Sequence, residues 1–572
     1  MMFGTLAQAQ HYIRTTYGDS NKPYSCIEIP FQGINQGNGA GPGIWLLVSI
    51  PIINMLKSAG FGFNVRTVIS GNEFSFVCYT FVDDSDVVHS LTPTEMTADT
   101  ESLIQAMQKV VDTWEGGIRA SGGALVPSKS YWFLIHFIFE NNKWRYANID
   151  ETPGNITIRD TSGIERVPLE RLEVDEARET LGVFIAMDGN QQDQTQALWE
   201  KASKWADQVR TGRFSHAEAW FSLQYCVMKS LEYPLMATSL SKAQCDKIMK
   251  PIRASALPAI GINRHLTLAV VHGPQKYQGV GIPDLWTVQG ILKLWLAIQH
   301  GDAQTITGNQ LRASMELHTI EIGLPGQLCQ QQYQTYGHLA TTSWLKHLWE
   351  FCDDSNLQMT TTTPKLTLAR EDDEFLMRQF SAYGYKNEQL RQLNLCRLYC
   401  HAICLSDITT GDGRRIHPAS WQGRPTDTAG TAYTWPIHGR PTPSAWTLWR
   451  SAIRQCFLTL QLTQQLLRQP LGLWKTTPSN NWQWLYSPSN DRVYHPVEDH
   501  QYQIFSIIPN RRRLRSPKYT YTGCCITLPT DVERTTITHH DTFLRCHGSQ
   551  PATEAPLIST TTYEEVITPT DT

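Results

Sequence analysis

The chain has 572 residues, of which 41% are hydrophobic and 18% are charged, and its formal net charge is −4. This composition supplies apolar material for several packed cores and excludes a largely disordered chain. The net charge excludes attraction of nucleic acid over the whole surface, so any such contact must come from local basic patches.

The cysteines and the apolar segments predict an intracellular location. The 13 cysteines follow no repeating framework, which is typical of free thiols in a reducing compartment. The N-terminal segment has no long apolar stretch, so we expect no secretion signal. The longest apolar run, from Ile44 to Leu56, is too short to span a membrane. We therefore expect a nuclear or cytoplasmic protein without a membrane partner.

A glycine-rich segment precedes the first strongly predicted helix. Residues 32–45 read QGINQGNGAGPGIW, and apolar side chains then recur at helical spacing from Ile44 to Lys57. Glycine allows a backbone to approach a base or a phosphate closely. We expect a glycine-rich loop that opens a buried helix, with a kink at Pro51.

Two adjacent carboxylates follow the helix, at the end of an apolar segment. Residues 74–90 read FSFVCYTFVDDSDVVHS, and 74–82 predict a strand that Asp83 and Asp84 interrupt. The pattern predicts a tight β-hairpin with both carboxylates at its tip. Carboxylate oxygens at such a position suit Mg²⁺. The alternative is an ordinary turn, because Asp is a common turn residue.

The remaining elements predict an α+β chain that becomes mostly helical. An amphipathic helix over 95–115 precedes strands over 131–139, 144–149, 156–167 and 181–187. Helices are predicted over 194–250, 283–300, 340–352, 371–406 and 444–469, and a hairpin over 482–486 and 492–495. The core candidates of the first helical region are Leu198, Trp205, Phe221, Tyr225, Met228 and Leu231.

Taken together and in their order along the chain, the motifs of residues 32–187 resemble the palm of a reverse transcriptase of the non-LTR retrotransposon type. Residues 36–42 (QGNGAGP) are similar to the family's loop that opens the palm helix, and Phe81 to Asp84 resembles its [FY]-x-D-D box. Residues 121–129 resemble the loop that ends in a lysine near the triphosphate. Residues 179–183 (ETLGV) resemble the Leu-Gly element that supports the primer strand.

The resemblance implies an RNA-directed DNA polymerase that binds an RNA template, a DNA primer and deoxynucleoside triphosphates. It implies that Asp83 and Asp84 bind Mg²⁺ in a two-metal site and that Lys129 assists the triphosphate. The implied template and nucleotide contacts are Gln36, Gly37, Asn38 and Pro42. The implied primer support is Leu181 and Gly182.

The resemblance also implies a domain organisation, and it covers most of 1–415. The expected regions are a partial palm (1–190), a helical thumb-like region (191–300), a helical connection region (301–408), a linker (409–443), a C-terminal helix and β-hairpin region (444–548) and a disordered tail (549–572).

One departure concerns the metal site. The family has a further catalytic Asp on a strand many tens of residues before the glycine-rich loop, whereas Asp19 is the only Asp before Gln32 here. The resemblance therefore implies a truncated polymerase with an incomplete magnesium site, and an upstream polypeptide would supply the fingers and the missing Asp. Asp86, two residues past Asp84 on the same strand face, is a candidate auxiliary ligand.

Two non-enzymatic hypotheses stay open. The first is a catalytically inactive retroelement remnant that only binds nucleic acid. The second is a structural helical protein in which Asp83 and Asp84 form an ordinary turn, and a hairpin that did not place Asp83 beside the glycine-rich helix would favour it.

Two further clusters have competing interpretations. Cys396, Cys400, His401 and Cys404 offer four zinc ligands, but their segment is apolar at helical spacing, which favours one buried stripe of cysteines. The basic run Arg511, Arg512, Arg513 and Arg515 precedes Lys518 and Tyr519. It suits single-stranded nucleic acid or nuclear localisation, and an ordinary solvated surface explains it equally well.

Overall fold

The structure, a computed structural model, describes most of the chain up to residue 472 and parts of the remainder. The described residues are 14–15, 18–21, 41–81, 84–91, 99–141, 143–160, 162–361, 365–368, 370–409, 413–423, 433–436, 438–459, 465–472, 484–487, 489–490, 492–496, 502–508, 518–525, 529, 533–536 and 545–546. The predicted tail, 549–572, lies outside them. In the described part of the chain, no helix has both the length and the apolar character needed to cross a membrane.

The first part of the chain combines two long helices with short antiparallel strands. In order, its elements are β1 (Arg14–Thr15), β2 (Gly18–Asp19), α1 (Gly41–Ser58), β3 (Phe63–Arg66), β4 (Glu73–Phe76), β5 (Cys78–Phe81), β6 (Asp84–Val87) and α2 (Thr100–Ala120). The helices predicted over 44–57 and 95–115 are thus confirmed. The second begins at Thr100, because the side chain of Asp99 accepts a hydrogen bond from the backbone N–H of Ser102 and caps it.

Further short strands follow before the chain becomes helical. They are β7 (Tyr131–Phe133), β8 (Phe137–Glu140), β9 (Lys143–Tyr146), β10 (Thr157–Arg159), β11 (Arg166–Pro168), β12 (Glu170–Leu172), β13 (Arg178–Thr180) and β14 (Val183–Ile185). Consecutive strands pair as antiparallel hairpins, except that β12 pairs in parallel with β7. The α+β class is confirmed in this general sense, and the described strands before residue 190 form two-stranded pairs.

The region after residue 190 is helical, as predicted. Its elements are α3 (Gln192–Thr211), α4 (His216–Phe221), a π-helix (Ser222–Val227), α5 (Met228–Glu232), α6 (Lys242–Ala259), α7 (Leu268–His272) and α8 (Leu285–His300). The predicted core residues Leu198, Trp205, Met228 and Leu231 are buried together.

The prediction that Phe221 and Tyr225 belong to this core is wrong, because their side chains are 60% and 66% exposed. The cause is the π-helix, whose wider turns rotate successive side chains away from the positions expected for 3.6 residues per turn. The two rings pack on each other at the surface, with centroids 4.9 Å apart.

A second helical region follows and contains the largest apolar core. Its helices are α9 (Ile306–Ile322), α10 (Tyr333–Tyr336), α11 (Trp344–Asp354), α12 (Leu376–Tyr383), α13 (Asn387–Tyr399), α14 (Pro418–Gln422) and α15 (Pro443–Phe457). Trp349, Phe380 and Trp449 are fully buried at its centre. The continuous helix predicted over 371–406 is divided, because Gly384 adopts a left-handed conformation (φ 113°) and ends α12.

The segment predicted as a linker, 409–443, contains the short helix α14 and is partly buried where it is described. Ser420 is fully buried, and its carbonyl oxygen accepts a hydrogen bond from Trp449 Nε1. The backbone N–H of Thr434 donates to the carbonyl oxygen of Val68 at 3.0 Å. The described part of this segment is therefore anchored to the rest of the fold.

The described C-terminal strands form one antiparallel sheet. They are β15 (Trp484–Ser487), β16 (Arg492–Pro496), β17 (Tyr502–Ile508), β18 (Lys518–Cys525), β19 (Glu533–Thr536) and β20 (Arg545–Cys546), in the order β18-β17-β16-β15-β19-β20. The hairpin predicted over 482–486 and 492–495 is confirmed as β15 and β16, within a larger sheet than expected.

A buried carboxylate joins the N-terminal part of the chain to the second helical region. Glu316 on α9 is 2% exposed. It accepts hydrogen bonds from the backbone N–H groups of Ile69 and Ser70, at 2.8 and 3.0 Å, and from Ser70 Oγ at 2.7 Å. Val68 and Ile69 pack beside it against an apolar cluster that includes Trp435. The turn between β3 and β4 is thereby fixed to α9.

We expect Glu316→Ala to release this turn. Hydrogen bonds to a charged acceptor contribute about 1.5–3 kcal/mol each, and the substitution leaves buried N–H groups unsatisfied. Hydrogen exchange at Ile69 and Ser70 should accelerate at least about tenfold, a change of about 1.4 kcal/mol in local opening.

The matched control is Glu73→Ala. Glu73 pairs only with Arg66, at 3.9 Å, and both side chains are mostly exposed, so exchange at Ile69 and Ser70 should stay unchanged. Equal exchange in the parent and the Glu316 variant would contradict the role assigned to this carboxylate.

Candidate functional site

The acidic hairpin lies where the sequence predicts it. Strands β5 and β6 are antiparallel, and Phe81 pairs with Asp84, which leaves Val82 and Asp83 as the connecting residues. Asp83 lies outside the described residues, and Asp84 is exposed. The predicted single strand over 74–82 is divided at Val77, since β4 pairs with β3 and β5 pairs with β6.

Electrostatic repulsion between carboxylates is visible on this hairpin. Asp84 and Asp86 are two residues apart on β6, so both side chains lie on one face. Burial, and secondly the nearby charge of Asp84, raise the pKa of Asp86. Carboxylates are the ligands that Mg²⁺ prefers, and two of them lie on this strand face.

The hairpin packs against the helix that follows the glycine-rich segment. Ile52 and Leu56 on α1 share an apolar cluster with Val77, and Cys78 and Val87 of the hairpin pack against it. The hypothesis of an accidental Asp-Asp turn expected a hairpin that does not place Asp83 beside this helix. The test of that hypothesis is the position of Asp83, which lies outside the described residues, so the hypothesis stays open.

The glycine-rich loop itself is mostly outside the described residues, including Gln36, Gly37 and Asn38. Pro42 is the second residue of α1, a position where proline is well tolerated because its missing N–H has no intrahelical partner. Pro51 lies inside the helix.

Lys129 lies at the end of a short 3₁₀ helix, Pro127–Lys129, directly before β7. Its side chain is exposed. The preceding loop is anchored through Leu125, which packs against two of the apolar clusters of the N-terminal region. The structure provides no contact between Lys129 and the described residues of the acidic hairpin, so its predicted role stays a prediction.

Leu181 and Gly182 form the turn of the hairpin β13–β14. Both have positive φ angles, 52° and 78°, and they connect Thr180 to its partner Val183. This is the geometry of a two-residue hairpin turn, in which glycine is favoured. The predicted strand over 181–187 is thus the second strand of a hairpin, covering only 183–185.

Side chains from three elements hold this turn. Tyr233 Oη donates a hydrogen bond to the carbonyl oxygen of Leu181 at 2.8 Å. Gln194 Oε1 accepts from the backbone N–H of Phe184 at 2.8 Å, and Tyr131 Oη lies 3.0 Å from Thr180 Oγ1. The thumb-like helices therefore contact the hairpin directly.

The sequence analysis missed an exposed aromatic surface in the helical region after residue 190. The exposed rings of Phe221 and Tyr225 lie on the segment that leads into Tyr233, which is itself 65% exposed. No α-helical periodicity reveals this surface, because the π-helix creates it.

The remaining candidate clusters lie elsewhere. Cys396 and Cys400 are buried in the largest core, and Cys404 belongs to a neighbouring cluster. The single helical stripe predicted for all three is wrong, because α13 ends at Tyr399. Arg511, Arg512, Arg513 and Arg515 lie outside the described residues. Within the described ranges, no group of at least three His, Cys, Asp or Glu side chains is arranged to hold a metal ion.

Neither a protein-family model nor a curated protein matches this chain.

Proposed function

We propose that the chain is a palm and thumb region of reverse-transcriptase type, which binds an RNA template with a DNA primer and directs deoxynucleotide addition at Asp83 and Asp84. The observation that carries the proposal is the pairing of β5 with β6 up to Asp84, in a hairpin whose apolar residues share a core with the helix that follows a glycine-rich segment.

The proposed metal ligands are Asp83 and Asp84, with Asp86 as an auxiliary group. Mg²⁺ bound there would supply charge stabilisation for phosphoryl transfer. The chain's own residues would bind and orient the substrates: Gln36, Gly37, Asn38 and Pro42 at the template base and nucleotide, and Lys129 beside the triphosphate. Because the described residues contain no group of three metal-ligating side chains, extension by this chain should be slow.

The thumb-like region supports the proposal by offering stacking surfaces. Tyr233 presents an exposed ring at the Leu181–Gly182 turn, and Phe221 and Tyr225 present exposed rings on the helical segment that precedes Tyr233 in the chain. Aromatic rings bind the sugars and bases of nucleic acids without requiring a particular sequence. In this proposal the turn supports the primer end, and the rings hold the strand behind it.

The proposal is tested by primer extension on an RNA template with Mg²⁺ and deoxynucleotides. We expect slow extension by the parent chain and at least about 100-fold less by Asp84→Asn, equivalent to about 2.7 kcal/mol. Because Asp84 is exposed, the substitution should leave folding unchanged within about 0.5 kcal/mol.

The matched control is Glu73→Gln, an exposed carboxylate on the neighbouring strand β4, which should retain extension within about threefold, or about 0.7 kcal/mol. Equal extension by the parent and Asp84→Asn would contradict the assignment of the site. A parent chain that binds template and primer in a salt-sensitive manner but extends nothing would establish the alternative, a remnant that only binds nucleic acid.

A further inference from the structure

A serine, a histidine and a glutamate are joined by hydrogen bonds between α9 and α11. Ser343 Oγ lies 2.6 Å from His318 Nε2, and His318 Nδ1 lies 2.6 Å from Glu321 Oε2. His318 and Glu321 are one turn apart on α9, and Ser343 is the N-cap residue of α11. The three side chains stand in the order of a nucleophile, a general base and a carboxylate that orients the base.

The direction of each hydrogen bond follows from the partners of Glu321. Its carboxylate also accepts from the backbone N–H of Thr341 at 3.1 Å and from Thr341 Oγ1. Burial acts to raise the pKa of Glu321, but the hydrogen bonds from His318 and Thr341 outweigh it and hold that pKa below its ordinary value. A carboxylate can only accept, so His318 Nδ1 carries the proton. In a neutral imidazole Nε2 is then the acceptor, and the hydroxyl of Ser343 donates to it.

The burial of the three residues differs in the sense that such chemistry needs. His318 and Glu321 are only 2% and 7% exposed, so water does not compete for the hydrogen bond between them. Ser343 is partly exposed and directly follows the exposed Thr342. The nucleophilic end is therefore the most accessible part of the arrangement, and the base lies behind it.

The start of α11 supplies donors for a negatively charged oxygen. Ser343 Oγ accepts from the backbone N–H of Lys346 at 3.0 Å, which holds the hydroxyl at the end of the helix. The N–H groups of Trp344 and Leu345, the first two residues of α11, have no acceptor within the helix. Backbone donors at such a position stabilise charge that develops in a transition state. An oxyanion on a carbon bonded to Ser343 Oγ therefore has donors beside it.

Helix capping alone does not explain the contact with the histidine. Ser241 caps α6 in the same way, since its Oγ accepts from the backbone N–H of Gln244. The second partner of Ser241 Oγ is Gln244 Oε1, at 3.0 Å, which is not a base. Ser343 thus makes the same capping bond and in addition contacts a histidine that a buried carboxylate orients.

We propose that Ser343, His318 and Glu321 form a hydrolytic site for carboxylic esters with a small acyl group. Ser343 Oγ attacks the carbonyl carbon, and His318 Nε2 takes up the hydroxyl proton. The C–O bond to the alcohol then breaks, and the alcohol leaves with that proton. Water attacks the acyl group on Ser343 and returns a proton to it through His318, so that one ester and one water give one acid and one alcohol. Glu321 is the positioning residue of His318.

The size limit on the acyl group follows from the surroundings of the hydroxyl. Ser343 and Trp344 are both partly buried, whereas Thr341 and Thr342 are exposed. An ester therefore approaches from the side of the two threonines. Because Trp344 Nε1 also donates to the carbonyl oxygen of Met236 at 2.8 Å, its ring is fixed in place and does not open a larger space.

The test uses the full chain with two probes, a fluorophosphonate and p-nitrophenyl acetate. We expect the phosphonyl group on Ser343, with release of fluoride, and labelling at least about 100-fold faster than at Ser241. With p-nitrophenyl acetate we expect a burst of about one p-nitrophenol per chain, as an acyl intermediate requires. A folded parent chain without an adduct on Ser343 would overturn the proposal.

Variants separate the chemistry from folding. Ser343→Asn keeps a capping side chain and should abolish the adduct and the burst, whereas Ser241→Ala should retain both. His318→Gln should slow labelling of Ser343 at least about 100-fold, and equal rates in this variant and the parent would contradict the role of the base. Glu321→Gln should lower the maximal labelling rate at least about tenfold while the concentration of probe at half-maximal rate stays unchanged. A structural defect alone would not separate these two quantities.

Discussion

Replacing Arg397 by methionine should destabilise the second helical region by about 3–5 kcal/mol, because it leaves buried acceptors without a donor. Arg397 is fully buried on α13. Its guanidinium donates to the carbonyl oxygens of Ile320 and Glu321 at 2.6 and 2.8 Å, and to that of Ala402 at 3.0 Å. The first two carbonyls belong to the C-terminal end of α9, where a cation is favourable.

The site is shaped for this side chain. Burial lowers the pKa of Arg397 to about 9, so the guanidinium is still protonated at neutral pH. Gly323 follows α9 in a left-handed conformation, and a Cβ atom there would lie 2.6 Å from Arg397 Cζ. The planar guanidinium of Arg397 therefore donates the hydrogen bonds that water would otherwise donate to the end of α9.

The matched control for this prediction is Arg391→Met on the same helix. Arg391 is half-exposed and pairs with Glu388, so its loss should cost less than about 1 kcal/mol. Urea unfolding monitored by tryptophan fluorescence compares the two variants directly. Similar unfolding midpoints for both would show that Arg397 does not support the end of α9.

We expect Lys293→Met to stabilise the chain at pH 7 and to reduce the pH dependence of its free energy of unfolding. Lys293 is 1% exposed on α8. Its ammonium group donates to Ser239 Oγ at 2.9 Å and lies 5.2 Å from the ring centroid of Trp344. Burial lowers the pKa of Lys293 to about 7, against the opposing influence of Cys245 and Glu350.

The direction of the effect follows from proton binding. The pKa of an unfolded lysine is about 10.4. Between pH 7 and 10 the unfolded chain therefore binds a proton that the folded chain does not, so the unfolding free energy of the parent rises with pH. Over this window, the titration of Lys293 raises the unfolding free energy of the parent by at most about 4 kcal/mol.

The neighbouring ionisable groups define the comparison. Burial raises the pKa of Cys245 to about 12 and lowers that of His347 to about 4, so neither group titrates in the folded chain within this window. The Cys245 thiol of the unfolded chain does titrate there, but Cys245 is present in both chains and cancels in the difference. Burial also lowers the pKa of Lys346, but this residue is present in both chains and cancels in the difference.

Unfolding of the parent and Lys293→Met should be measured at pH 7 and 9.5, with the exposed Lys242→Met as control. We expect the difference in unfolding free energy between the parent and Lys293→Met to shrink with rising pH. The difference between the parent and Lys242→Met should show no such trend. A constant difference would contradict a deprotonating buried lysine.

Local patterns allowed the acidic hairpin and its neighbouring helix to be predicted from sequence. The hairpin needs only two apolar segments interrupted by Asp83 and Asp84, and α1 needs only apolar spacing after glycines. The same holds for β15 and β16. These elements depend on residues that are close in the chain, so the sequence around them carries the signal.

Features that depend on distant residues could not be predicted. Glu316 binds the backbone of Ser70, 246 residues earlier, and nothing near either residue indicates the contact. The π-helix that exposes Phe221 and Tyr225 breaks the periodicity on which the core prediction rested. Tyr233 reaches the carbonyl of Leu181 across 52 residues, so the contact between the thumb-like helices and the proposed primer support appears only in the fold.

The most direct test of the proposed function is to map the residues that lie next to a bound primer end. A DNA primer with a 3′-terminal 4-thiothymidine, annealed to an RNA template, is bound in Mg²⁺ and photocrosslinked, and the linked peptides are mapped. We expect crosslinks within 78–87 and 178–185, and, for a label about ten nucleotides from the primer end, within 214–233, since a nucleic-acid strand would pass the exposed rings there. Crosslinks of the terminal label confined to residues beyond 190 would contradict the assignment of Asp83 and Asp84 as the polymerase site.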